Sequence, residues 1–191
     1  VVKPRHAASG QGLSLLRPGT TTLTEAVHAA LEVECKRGET WQLYQVPRGV
    51  GVEVLYPSLR ASSKEPERPL ELKLQTIWGV VVGGTIHTSQ EVWITSSGHV
   101  VRSNHGKNCA IRRRYGPLPP WILDGSLEKI IQEHWSFLVS ESEAIARRWG
   151  LDEVRVDWFL GCETLGPRIC EVTWMGTGDR LPKQLQLPVA E

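Results

Sequence analysis

The chain has 191 residues, 40% of them hydrophobic and eight of them Trp, which is enough for one good-sized domain or two small ones with a buried core. Its formal net charge of +1 argues against nucleic acid as a partner. No apolar run could span a bilayer and no signal-peptide pattern is present, so we expect a cytoplasmic protein, unless a targeting signal is absent from a chain that begins without Met. The four cysteines form no CxxC pair, which predicts reduced, mostly buried thiols and no zinc site. Oligomeric state stays open.

The first elements predicted are a strand at "VVKP", a loop of small residues at "RHAASGQG" and a helix within "TLTEAVHAALEVECKRG". Thr22 or Thr24 can cap the helix and Gly38 can end it. "WQLYQVPRGVGVEVLYP" predicts two short strands around Pro47-Arg48-Gly49. Backbone N–H groups of the small-residue loop can surround phosphate oxygens, with Lys3 supplying positive charge. Taken alone, the segment is more typical of a plain surface loop.

The regular elements predicted in the rest of the chain are strands and one long helix, with loops between them and at the end. "LELKLQTIWGVVVGGTIH" alternates and then becomes a buried apolar run, and "EVWITSSGHVVR" predicts a hairpin that turns at Ser97-Gly98. "DGSLEKIIQEHWSFLVSESEAIARRWG" has apolar residues at helical spacing and Gly150 at its end. "VRVDWFLG" and "RICEVTW" then predict two strands. This order of elements predicts an α+β fold with a mostly antiparallel sheet.

The last two strands contain the clearest chemical pattern. Because side chains alternate along a strand, an antiparallel hairpin places Arg155, Asp157, Glu171 and Thr173 on one face, with the apolar positions of both strands on the other. Two carboxylates on neighbouring strands repel each other unless a cation lies between them, and Mg²⁺ prefers such oxygen ligands. The alternative is a solvated sheet face with an Arg–Asp ion pair.

Two further segments have weaker patterns. A strand end such as "GVEVLY" can offer backbone groups to an adenine edge, and Glu71 and Lys73 in "LELKLQ" share a strand face, although an ordinary amphipathic edge strand has the same pattern. The basic segment "RSNHGKNCAIRRRYG" could bind an anionic substrate or be a solvated loop.

Four segments resemble, in this order along the chain, the motifs of the ATP-grasp superfamily. They are "VVKPRHAASGQG", "GVEVLY", "VRVDWF" and "CEVTWMGTG". The middle of the chain is most similar to the teichuronopeptide-biosynthesis type, and more distantly to D-alanine–D-alanine ligases. The resemblance implies an ATP-grasp fold with mostly antiparallel sheets and two main helices. Residues 1–56 would form a phosphate-loop and adenine-side subdomain and residues 57–191 a magnesium-binding subdomain, with the nucleotide in the cleft between them. Family members carry a further N-terminal part, which is missing from this chain.

The resemblance also implies roles for individual residues. The phosphates would be contacted by Lys3 and by Ser9, Gly10 and Gly12 of the small-residue loop. Lys73 would also lie near the phosphates and, with Arg155, would be a catalytic residue. Adenine would lie at Glu53 and at the backbone of Leu55, and the ribose near Glu71. Arg155 would stabilise the transferring phosphoryl group. Mg²⁺ would be held by Asp157, Glu171 and Thr173, the last standing where the family usually has Asn.

The implied cofactors are ATP and Mg²⁺, and the implied reaction activates a carboxylate as an acyl phosphate for attack by an amine or similar nucleophile. The second substrate would be an unidentified carboxylate or anionic small molecule or polymer. Two alternatives stay open: a non-catalytic ATP-binding remnant, suggested by Thr173 and the missing N-terminal part, and a small-molecule kinase on the same fold. A nucleic-acid-binding module has only the "RRRY" run in its favour.

Overall fold

The computed structural model describes residues 1–7, 11–34, 46–57, 69–86, 89–102 and 125–174. The chain divides into two compact units, Val1–Leu55 and Tyr56–Glu191. Within the described residues the architecture is α+β, with two helices and antiparallel sheets, which confirms the predicted fold class at this level.

The first unit contains a two-stranded sheet and a short helix. Its elements are β1 (Val2–Pro4), α1 (Leu23–Leu31) and β2 (Val50–Val52). Strands β1 and β2 are antiparallel, with Val2 opposite Val52. Val2, Ala26 and Ala30 are buried together, so α1 packs its small apolar face against β1.

Helix α1 begins at one of its two predicted caps but ends earlier than predicted. Thr22 is the N-cap and forms a reciprocal capping box with Glu25. The helix stops at Leu31, so the predicted end at Gly38 is wrong. The reason is tertiary: the Val33 side chain lies within 2.3 Å of where a Cβ on Gly12 would be, and the Val33 carbonyl oxygen is 3.0 Å from His6 Nε2. These contacts hold the chain after α1 out of helical conformation.

The second unit is built on a six-stranded antiparallel sheet. Its elements are β3 (Leu70–Ile77), β4 (Val80–Ile86), β5 (Ser89–Thr95), β6 (Val100–Arg102), α2 (Ser126–Trp149), β7 (Glu153–Leu160) and β8 (Arg168–Trp174). The strand order is β6-β5-β4-β3-β7-β8. Gly98 turns the β5–β6 hairpin with a φ of 80°, and Gly150 ends α2 with a φ of 61°, as predicted for both. The β7–β8 hairpin is also confirmed.

The apolar run after β3 contains a turn that the sequence analysis does not identify. Ile77 pairs with Val80, so the β3–β4 loop has only the two residues Trp78 and Gly79. Their φ angles are 49° and 77°. Positive φ at both central residues is the geometry of a tight type I′ hairpin turn.

Helix α2 covers one face of this sheet and creates the main core. The core includes the following buried residues: Leu72, Leu74, Ile94, Leu127, Ile131, Leu138, Ala146, Val154, Val156 and Trp158. Helix α2 is 24 residues long, but no helix in the described ranges is both long and apolar enough to cross a membrane. Since the apolar side chains of β3 and β7 point towards α2, their alternating polar side chains lie on the opposite face.

The two cysteines among the described residues are less buried than predicted. Cys162 and Cys170 are free thiols of intermediate exposure, while Cys35 and Cys109 lie outside the described residues. A hydrogen bond with the Thr164 hydroxyl lowers the pKa of the Cys162 thiol below its usual value, with help from backbone N–H groups of the same turn. Neither Cys162 nor Cys170 is therefore one of the buried thiols that the sequence predicts.

Candidate functional site

Three adjacent strands bring six polar residues to one face of the second unit. Strand register places Lys73 opposite Asp157, Asp157 opposite Glu171, and Arg155 opposite Thr173. Directly opposed residues of antiparallel strands point to the same side of the sheet. We call this set the polar face; its members are Glu71, Lys73, Arg155, Asp157, Glu171 and Thr173. The predicted clustering of the β7 and β8 residues is confirmed by this register.

Asp157 is the centre of the polar face. Its side chain is fully buried, with 0% exposed. Arg155 donates from Nε to Oδ1 at 2.7 Å and from Nη2 to Oδ2 at 3.1 Å, and Lys73 Nζ also donates to Oδ2. A buried carboxylate is expensive unless it is paired and hydrogen-bonded, so these two cations are what make the position of Asp157 possible.

Lys73 bridges two carboxylates. Besides Asp157, its ammonium group contacts Glu71 Oε1 at 2.6 Å, and the Lys73 and Glu71 side chains are only 17% and 18% exposed. The sequence shows that these residues share a strand face, but it does not show that β3 pairs with β7. The register of that pair, with eight opposed positions from Leu70↔Leu160 to Ile77↔Glu153, connects Lys73 to the Arg155–Asp157 pair.

Glu171 and Thr173 form the open side of the polar face. The Thr173 hydroxyl donates to Glu171 Oε1 at 3.0 Å and accepts from Arg155 Nη2 at 3.2 Å. The Glu171 side chain is 58% exposed, so its carboxylate reaches solvent, in contrast to that of Asp157. A β-bulge follows directly: Asp157 pairs with Glu171, but Trp158 pairs with Ile169, which leaves Cys170 as the extra residue. Bulges commonly redirect side chains next to functional sites.

The electrostatics of the face keep Arg155 firmly charged. Burial alone would lower the pKa of the Arg155 guanidinium, but the hydrogen bonds and charge of Asp157, with the charges of Glu171 and Glu71, raise it above its usual value. The six residues named as the polar face include three carboxylates and two cations, and each of these carboxylates lies within ion-pair distance of Lys73 or Arg155.

Asp157, Glu171 and Thr173, the predicted magnesium ligands, lie on one sheet face. Among the described residues, no group of three or more His, Cys, Asp or Glu side chains is arranged to hold a metal ion. Mg²⁺ usually binds proteins through one or two carboxylates and completes its octahedron with water and substrate phosphates. Asp157 and Glu171 are in direct register with the Thr173 hydroxyl beside them, but both oxygens of Asp157 already accept hydrogen bonds from Arg155 and Lys73.

Two side-chain contacts next to the polar face were not predicted from the sequence. Gln75 donates to Glu153 at 2.8 Å beside the polar face, although the alternation that identifies Glu71 also includes Gln75. Phe159, the partner of Glu71 in the register, packs against Tyr56 with ring centroids 5.4 Å apart. Nothing in the sequence indicates this long-range aromatic contact.

The first unit contains four predicted site residues that the structure describes. Lys3 Nζ contacts Glu53 Oε1 at 2.6 Å, and both side chains are partly exposed. Gly12 has a φ of 72° and lies against Val33, so packing and conformation alone account for a glycine there. Leu55 is 38% exposed. The nucleotide-binding roles of these four residues stay predictions.

Other predicted residues lie outside the described part of the chain. These are Ser9 and Gly10 of the small-residue loop and the basic residues Lys107, Arg112, Arg113 and Arg114. The first segment predicted as a strand before Pro47 also lies largely outside it.

The polar face thus presents Lys73, then Arg155 and Asp157, then Glu171 and Thr173, on three neighbouring strands. A comparison of the chain with protein-family models, curated proteins and solved structures found no match. The candidate site therefore rests on the geometry and chemistry of these residues.

Proposed function

We propose that this chain is an ATP-binding, Mg²⁺-dependent ligase-like domain with an ATP-grasp fold, and that the polar face is its magnesium and phosphate site. The observation that carries the proposal is the direct register of Asp157 and Glu171 on one sheet face, with the Arg155 guanidinium hydrogen-bonded between their strands. A purely structural Arg–Asp pair would not require the second carboxylate or the hydroxyl of Thr173.

Each of the three strands supplies different groups to the proposed binding site. Asp157, Glu171 and Thr173 would hold Mg²⁺, which, when bound, neutralises charge on the terminal phosphates of ATP. Arg155 is the donor for the transferring phosphoryl group, since its planar guanidinium presents several N–H donors and its contacts with Asp157 fix its orientation. Lys73 adds a second positive charge on the same face.

The proposed reaction has two steps. A substrate carboxylate oxygen attacks the γ-phosphorus of ATP, so that a carboxylate O–P bond forms, the bond to the bridging oxygen breaks, and ADP leaves. An amine then attacks the acyl carbon of the resulting acyl phosphate, which releases inorganic phosphate and one proton and leaves an amide. The residues of the polar face orient the phosphates and stabilise their negative charge; they form no covalent bond with the substrate.

Calorimetric titration of ATP with and without Mg²⁺ tests the binding claim. In Glu171→Gln we expect Mg²⁺-dependent ATP affinity to fall at least tenfold, or about 1.4 kcal/mol, because the exposed carboxylate is replaced by a weaker neutral oxygen donor. Glu171 is the better target than Asp157 because its 58% exposure makes misfolding of the variant less of a concern. The matched control is Glu133→Gln on the exposed side of α2, which should bind like the wild type.

If the wild type does not bind ATP, or if Glu171→Gln and Glu133→Gln bind it equally well, the proposal is contradicted.

A turnover assay then distinguishes a ligase, a kinase and a non-catalytic ATP-binding protein. ADP release with a panel of carboxylates in the presence of hydroxylamine yields a hydroxamate if an acyl phosphate forms. A kinase that phosphorylates a hydroxyl group releases ADP without hydroxamate, and a non-catalytic remnant binds ATP without releasing ADP.

A further inference from the structure

Strand β8 forms one side of an apolar groove at the edge of the sheet. It is the outermost strand on that side of the described sheet. Ile169 and Trp174 pair with core residues of β7, so their side chains face α2, yet they are 44% and 48% exposed. Helix α2 packs against β3, β4 and β7. The helix therefore leaves the apolar side of β8 half open.

Two exposed aromatic residues of α2 form the other side of this groove. The Phe137 ring packs against Trp158, with ring centroids 5.8 Å apart, and Trp158 is the register partner of Ile169. Trp149 lies about two helical turns after Ser142 and on the same helix face, and Ser142 also contacts Trp158. Phe137 and Trp149 are 50% and 53% exposed. We call this surface the α2–β8 groove; its members are Phe137, Trp149, Ile169, Val172 and Trp174.

The sequence that follows β8 has a pattern that fits the α2–β8 groove. In "QLQLPV", Leu185, Leu187 and Val189 alternate with Gln184 and Gln186. In an extended segment this alternation places the apolar side chains on one face and the amides on the other. Proline stands at both ends of "PKQLQLP", and proline is tolerated in strands at the edge of a sheet. The short pattern alone predicts only a loop, but beside an exposed apolar groove it fits an extended edge segment.

The connection between β8 and this segment permits the chain to return along the groove. Residues 175–180, "MGTGDR", contain two glycines, which allow a reversal of chain direction. The second unit, which contains the groove, extends to Glu191 and includes the segment. Because the segment is tethered close to Trp174, its effective concentration at the groove exceeds that of a second copy of the chain. The bulge at Cys170 also disfavours direct pairing between the β8 strands of two copies.

We propose that residues 181–189 lie extended in the α2–β8 groove, antiparallel to β8, with Leu185 and Leu187 packed against Phe137 and Ile169. The segment removes exposed apolar surface from water and shields an edge strand from pairing with other chains. Strand β8 also supplies the open side of the polar face, so the segment holds in place the outer strand of the candidate site. This interaction requires neither ATP nor a metal ion.

Hydrogen–deuterium exchange of the full chain, followed by mass spectrometry, tests this interaction. We expect the double variant Leu185→Asp/Leu187→Asp, which places two charges against the groove, to make exchange in β8 peptides roughly tenfold faster. Gln184→Asp/Gln186→Asp adds the same charges to the opposite face of the segment and should exchange like the wild type. Peptides from β5, on the far side of the sheet, should be unaffected in both variants.

A change in the groove itself provides a second test. Phe137→Gln should also speed exchange in β8, whereas Ser136→Gln, at the neighbouring exposed position of α2, should not. Faster exchange that is confined to β8 supports the inference, and faster exchange that extends equally to β5 overturns it. Equal exchange of β8 in the two double variants also overturns it. Protection of β8 that rises with protein concentration does so as well, because a second copy then covers the groove.

Discussion

Ser142 shows how one buried polar contact stabilises the second unit. Its hydroxyl, on the core side of α2, accepts a hydrogen bond of 3.0 Å from Nε1 of Trp158, and both side chains are almost fully buried. Trp158 directly follows Asp157, so the anchored indole also fixes β7 at the centre of the polar face. The contact connects the core to the candidate site.

Ser142→Ala should lower the free energy of unfolding by about 1–3 kcal/mol, because the buried indole N–H loses its partner. Urea unfolding followed by circular dichroism measures this change. The control is Ser140→Ala, an exposed position on the same helix, which makes the same small change in helix propensity. Equal unfolding free energies for the two variants would show that the Trp158 hydrogen bond contributes nothing.

Asp157 shows what residue-level reasoning from sequence can and cannot reach. Alternation along "VRVDWF" and "CEVTW" correctly places Arg155, Asp157, Glu171 and Thr173 on one face, because the period of a strand is fixed. Burial of Asp157 and its contact with Lys73 depend on β3 pairing with β7, which is a long-range choice between strands. Local pattern does not encode that choice.

At the scale of elements, the turn of the β3–β4 hairpin requires a backbone conformation that its residue Trp78 disfavours. Trp78 is the one non-glycine residue of the described chain with positive φ, at 49°, and its side chain is 75% exposed. A bulky residue in the left-handed region costs roughly 1–2 kcal/mol. The strand pairs on both sides of the turn, together with the Trp78 N–H donating to the Asp152 carbonyl at 2.6 Å, hold it there.

Trp78→Asn should raise the unfolding free energy by about 0.5–1 kcal/mol, since Asn-Gly is the preferred pair for this turn and little packing is lost. Gly79→Ala at the next position, where φ is 77°, should instead destabilise the unit. Thermal unfolding of both variants measures the difference. A Trp78→Asn variant that melts below the wild type would mean that the exposed indole has a stabilising contact of its own.

Several elements could be predicted correctly from the sequence alone. Helix α2, the β5–β6 turn and the β7–β8 hairpin follow from periodicity and glycine position, and all three are confirmed. The end of α1 and the Trp78-Gly79 turn do not follow in this way. The end of α1 is set by contacts of Val33 with Gly12 and His6. The turn places Trp78 at positive φ, a backbone conformation that bulky residues disfavour.

At the scale of the whole molecule, the order of elements was sufficient to predict an α+β protein with antiparallel sheets. It was not sufficient to predict the strand order β6-β5-β4-β3-β7-β8, in which the third and seventh strands become neighbours. That neighbour relation turns two separate polar patterns into one charged network on a single sheet face. The function proposed for the chain depends on this network more than on any single motif.

Paramagnetic broadening by Mn²⁺-ATP in the amide NMR spectrum of the full chain tests the central claim most directly, because it reports where the metal–nucleotide complex lies. Binding at the polar face predicts selective loss of the amide signals of Lys73, Asp157 and Glu171 at substoichiometric Mn²⁺-ATP. Signals from the far edge of the sheet at β6 should persist, and Mg²⁺-ATP should leave all of them visible. Broadening that is uniform, or centred away from β3, β7 and β8, would contradict the assignment of the polar face as the magnesium–phosphate site.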